Sequence, residues 1–153
     1  MKKLAIMLLA MLPLLAAAQT AQKNTFAQFY KNYNGREGYT TVVITGEMIK
    51  LMKLDTKGMA GIRDITIVTE EKPTAEFVEQ VGHIVDDQSY KPITLVGNGA
   101  KRTAVYLRED PSKKGASTDC IILVSGEKSN VAMNIVGDFD ITKLGDLSAI
   151  KTE

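Results

Sequence analysis

The chain has 153 residues, 44% of them hydrophobic and 24% charged, with one cysteine, one histidine and no tryptophan. That balance excludes a disordered or collagen-like chain, and the length suits one ordinary domain rather than two. The net charge is +1 overall; without residues 1–18, which carry Lys2 and Lys3, 17 basic and 18 acidic side chains remain, so nucleic acid is not an expected partner.

Met1-Lys2-Lys3 opens the chain, and the fifteen residues from Leu4 to Ala18 carry no charge or polar side chain. A basic start, an apolar run and small residues at Ala16 to Ala18 describe a secretory signal peptide, with cleavage expected near Ala18. As a helix the run would rise only ~22 Å, short of the ~30 Å hydrocarbon core, so no transmembrane anchor is expected in the mature chain. The predicted organisation is a leader over 1–18 and a single α+β domain over 19–153, periplasmic or secreted. No cysteine follows the apolar run to carry a lipid. Cys120 alone remains, inside the apolar run that ends at Val124, where a buried, inert thiol is expected and no intrachain disulfide is possible.

Along the mature chain, Phe26, Phe29, Tyr30 and Tyr33 recur at helical spacing, with Asn24 as N-cap and Gly35 as stop. Docking onto a sheet explains this aromatic stripe most simply, and Tyr30 and Tyr33 are the candidate binding surface should it face outward. Tyr39–Thr45 is rich in β-branched residues and reads as a strand. Gly46 allows a turn into a short helix over Glu47–Leu54, with Met48, Leu51 and Met52 sharing a face. Gly58 and Gly61 bracket a loop before a strand over Asp64–Thr69. Thr74 caps a helix to about Gln88, with Phe77, Val81, Ile84 and Val85 on one side and Glu76, Glu79, His83 and Asp86 on the other. Four strands then follow without helix-length gaps: Tyr90–Val96, Arg102–Glu109, Thr118–Val124 and Asn130–Val136. Asn98-Gly99 is a hairpin turn, the segment from Asp110 to Gly115 a polar loop, and Asp140 the cap of a last helix carrying Ile141, Leu144 and Leu147.

The fold class is therefore α+β: a mixed to mainly antiparallel sheet of five or six strands against three or four short helices. Strand order is not readable. In Val42-Val43-Ile44, in the stretch from Ile65 to Val68 and in that from Cys120 to Val124, apolar side chains fall on both pleat faces. Either helices cover both faces of the sheet, or another chain covers part of the second.

Chemistry-bearing patterns are sparse, and no catalytic, cofactor-binding or metal-binding residues are assigned. His83 stands among acids on a solvated helix face, with no second His or Cys nearby to complete a zinc set. Ser89 has no recognisable base or orienting group. Asp138-Phe139-Asp140 departs from the calcium-loop pattern at Thr142 and Lys143. Gly97-Asn98-Gly99 lacks the rest of a phosphate-binding loop. Lys101-Arg102 and Lys113-Lys114 read as solvated hairpin ends.

The segment from Gly38 to Met52, preceded by Phe29–Tyr33, resembles the start of the "domain of unknown function 4252" family of exported Bacteroidota proteins. Gly61-Ile62-Arg63, Ile121–Gly126 and Gly137-Asp138-Phe139-Asp140 match further steps of that family in order, so the resemblance spans about residues 24–150. It implies a small exported or lipid-anchored envelope protein with no established activity, cofactor or catalytic residue. Gln19 and Thr20 stand where many members have a lipid-bearing cysteine. The expected function is a non-catalytic binding or structural module, its partner unknown: an envelope protein or a second copy of the chain. The alternatives are a hydrolase acting on envelope glycans through dispersed carboxylates and a homo-oligomeric assembly subunit.

Overall fold

A computed structural model describes residues 23–53, 61–109 and 118–139. The expected leader over 1–18, Gly58 of the first loop, the polar loop from Asp110 to Gly115 and the helix begun by Asp140 lie outside the described residues. A threonine starts each described helix. Thr25 precedes α1 (Phe26–Tyr33), Thr45 precedes α2 (Gly46–Leu51) and Thr74 precedes α3 (Ala75–Asp87); each hydroxyl accepts from the amide three residues on, at Gln28, Met48 and Phe77. Each thereby satisfies one of the amides that a helix start leaves unpaired. For α1 the cap is thus Thr25 and not Asn24, whose amide and side chain instead donate to Asp87 at the far end of α3.

Six strands form one sheet: β1 (Tyr39–Thr45), β2 (Ile62–Glu70), β3 (Lys91–Asn98), β4 (Lys101–Glu109), β5 (Thr118–Gly126) and β6 (Asn130–Gly137). Their order is β1-β2-β6-β5-β4-β3, and every pairing is antiparallel. The strand after α2 starts at Ile62, two residues earlier than the pattern suggests, because a register shift between Ile62 and Asp64 interrupts its alternation. The β3–β4 loop is Gly99-Ala100 rather than Asn98-Gly99. Asn98 still pairs with Lys101, and of the two loop residues only Gly99 has positive φ. A type I′ turn would require positive φ at both central residues, so this loop belongs to the other common hairpin geometry.

Period-two alternation separates the faces. On one, Val68, Ile121, Leu123 and Ala132 meet Phe26, Phe29 and Tyr33 of α1 and Phe77, Val81, Ile84 and Val85 of α3. On the other, Ile62, Ile65, Cys120 and Ile135 meet Ile49 of α2. Helices therefore lie on both faces, which accounts for the doubly apolar stretches from Ile65 to Val68 and from Cys120 to Val124, whereas Val42 and Val43 of β1 stay exposed. Only Ile49 of α2 is buried; Met48, Leu51 and Met52 are exposed, the reverse of the expected face. A six-residue helix has too few turns to define a stripe, so its orientation follows from the corner of β1 and β2 on which it sits.

α3 carries the chain from β2, near one margin, to β3 at the other. β3 to β6 then return as a meander until β6 pairs with β2. The helices lie toward the β1–β2 side, and the β3–β4 hairpin extends beyond them, every residue of β3 being exposed. This offset leaves open the surface described next.

Candidate binding groove

Alternate residues of β4 point to the helix side: Arg102, Ala104 and Tyr106. Their cross-strand neighbours there are Gly97, Leu95 and Pro92 on β3, and Ser125, Leu123 and Ile121 on β5. Gly97, Ala104 and Ser125 are small, so the sheet surface dips between the larger Leu95, Leu123 and Tyr106. Val78 of α3 borders the depression, and the resulting groove holds about 370 Å³, inside the roughly 300–1,000 Å³ typical of small-ligand sites. Its lining is mostly apolar, contains no Asp or Glu, and has Arg102 as its one charged group. Leu95, on the helix side opposite Ala104, is 70% exposed, and Val96, next along β3, is 61% exposed. Exposed apolar residues that line a depression mark interaction surfaces, whereas scattered ones do not.

A second depression of about 280 Å³ lies between α1 and α3, lined by Asn24, Thr25, Gln28, Phe29, Asn32, Gln80, His83 and Ile84. His83 is exposed on its rim, and the other polar groups there are amides and a hydroxyl, none of which activates a nucleophile at neutral pH. Among the described residues no cluster of His, Cys, Asp or Glu is placed to hold a metal ion.

Two enclosed acids among the described residues serve the fold. Glu70, 2% exposed, accepts from the Tyr39 hydroxyl and the Thr74 hydroxyl at one oxygen, and from the Thr74 amide and Asn130 at the other. Those bonds tie the start of α3 to three strands. Asp119 accepts from Arg108 at 2.7 Å and from Asn134 at 2.7 Å, while Arg108 also reaches Gln88 and lies 4.8 Å over the Tyr90 ring. Burial, with the Asp119 carboxylate beside it, holds the Tyr90 phenol far above its ordinary range. Cys120 is fully buried, and burial pushes its thiol up to about 12, as expected for a structural cysteine.

The candidate tyrosines part company in the structure. Tyr33, 4% exposed, belongs to the helix-side core; its ring meets Phe29 edge-to-face at 5.0 Å and lies tilted against Tyr39 at 4.5 Å, and its hydroxyl donates to Gln80. Tyr30 is half-buried against the same core. Neither lines the groove. The groove residues Leu95, Arg102, Ala104 and Tyr106 carried one sequence signal, the apolar Ile93, Leu95 and Val96 of a marginal hairpin. Its meaning depended on where α3 lies.

No helix among the described residues is long and apolar enough to cross a membrane. Residues 30–147 match the family model described as Domain of unknown function (DUF4252), and the chain belongs to that family. No curated protein and no solved structure matches it.

Proposed function

We propose that this DUF4252 member is a non-catalytic binding module of the bacterial envelope, exported by the leader over residues 1–18, whose contact surface is the groove between α3 and the β3–β4 hairpin. The observation that carries this reading is an apolar depression, floored by small residues, that the helix layer leaves open. Supporting it, the enclosed acids Glu70 and Asp119 are committed to hydrogen bonds that hold elements together. The neutral dye Nile red, which brightens in apolar surroundings, tests the surface. Wild-type protein should enhance its emission, and Leu95→Lys, a change at an exposed position, should reduce that enhancement at least about threefold by setting a solvated cation in the wall. Equal enhancement by both proteins would remove the groove from consideration. Export is read by the intact mass of the protein recovered outside the cytoplasm: the expected species begins near Gln19, and one beginning at Met1 contradicts the leader.

A further inference from the structure

The groove has a direction. Along β4 its lining runs from Arg102 through Ala104 to Tyr106, a span of ~13 Å at ~3.4 Å per residue. Everything beyond Arg102 toward Tyr106 is apolar or small on the helix side: Leu95, Leu123, Val78 and Ala104. Arg102 sits at the opposite end, facing Gly97 across one strand pairing and Ser125 across the other. Gly97 has no side chain, and the Arg102 stem passes 3.5 Å from where a Cβ would stand. Nothing on β3 therefore shields the guanidinium at that register. Among the described residues Arg102 forms no ion pair, and no acid lines the groove to neutralise it.

An apolar trough ending in an uncompensated guanidinium matches a ligand with a chain and an anionic head. We propose that the groove binds the single acyl chain of a fatty-acid anion, with the carboxylate on Arg102 and the methylenes running toward Tyr106. The proposal rests on the reading of the groove as the contact surface. Guanidinium and carboxylate pair through two parallel hydrogen bonds, a geometry a point-charge ammonium does not offer. The Ser125 hydroxyl, cross-strand from Arg102, supplies a further donor at the same end. Methylenes laid over Ala104 and Leu123 leave water, and each should tighten binding by up to about fourfold until the ~13 Å trough is filled.

Dodecanoate and dodecanol share a chain and differ only in the head, so calorimetric titration of the full mature protein with each, below its self-association limit, separates chain from charge. The proposal expects dodecanoate to bind at least about tenfold tighter than dodecanol. Arg102→Gln, at an exposed position, should abolish that preference, lowering dodecanoate affinity at least about tenfold and dodecanol affinity by far less; Arg102→Lys should restore only part of the preference. Leu95→Lys should weaken dodecanol at least about threefold. If both amphiphiles bind equally, or Arg102→Gln keeps the preference, the fatty-acid assignment is overturned while the groove remains the contact surface. If neither amphiphile nor Nile red binds, both readings fall. Dimers that close the groove in sedimentation, undisturbed by dodecanoate, would overturn the assignment in favour of a second copy of the chain.

Discussion

Buried groups that must stay protonated make stability depend on pH, and here they point to alkaline conditions. The Cys120 thiol is raised from 9.0 to about 12 by burial, and burial likewise raises the phenol of Tyr90. For groups raised in this way, the unfolded chain loses protons first as pH climbs, so the folded state is progressively disfavoured. Stability from Cys120 should therefore be flat below about pH 8 and fall between 9 and 12. Urea unfolding midpoints across that range check the slope. Cys120→Ala should lower stability below about pH 8 through the small cavity it leaves, and it should make the alkaline decline shallower, so that the difference from wild type narrows as pH rises. An unchanged slope would mean that the thiol titrates alike in both states. Tyr33 shows how far such reasoning reached from sequence. Its place on an apolar helical stripe correctly suggested the core, yet its hydroxyl contact with Gln80 depends on how α1 leans on α3.

The end of α3 carries an improvable feature. Ser89 donates to the Asp86 carbonyl and Tyr90 to the Val85 carbonyl, the two bonds of a Schellman motif, and Ser89 holds φ +59. Glycine is the usual residue there, since a Cβ in the left-handed region costs ~1–2 kcal/mol. Ser89→Gly should stabilise the protein by ~0.5–1 kcal/mol, less than that strain because glycine also loses more chain entropy on folding; a rise in the chemical unfolding midpoint at constant slope is the readout. The stop near Gln88 was legible, but without a glycine in the sequence the left-handed residue that makes it was not. Phe77, Val81, Ile84 and Val85 were readable because thirteen residues give more than three turns of period. Met48, Leu51 and Met52 misled because two turns do not. The strands were visible from their β-branched runs, but each is apolar enough to neighbour any other, so their order was not. The groove was hidden for the same reason: it exists only because α3 lies over one part of a sheet whose order had to be seen.

At the scale of the molecule, one pairing carries the long-range connectivity of the sheet. β1 meets β2, and β3 to β6 meet in sequence, so β2–β6 is the one strand pairing that joins the two parts of the sheet. It sits inside the sheet, between the cores on both faces, whereas β3 is a fully exposed margin. Hydrogen exchange should follow that gradient, with amides bonded between β2 and β6 opening only on global unfolding and those of β3 opening locally. Equal protection at both places would contradict the layout. The seam has one more property. The Gly61 carbonyl accepts from the Asp138 amide at 2.7 Å, and a side chain on either Gly61 or Gly137 would run into the other segment's main chain. Gly61-Ile62-Arg63 and Gly137-Asp138-Phe139, far apart in the sequence, are thus the two halves of a single joint. In descent the two glycines should be inherited or lost as a pair, and a relative that keeps one without the other must have moved its closing segment off the sheet's end.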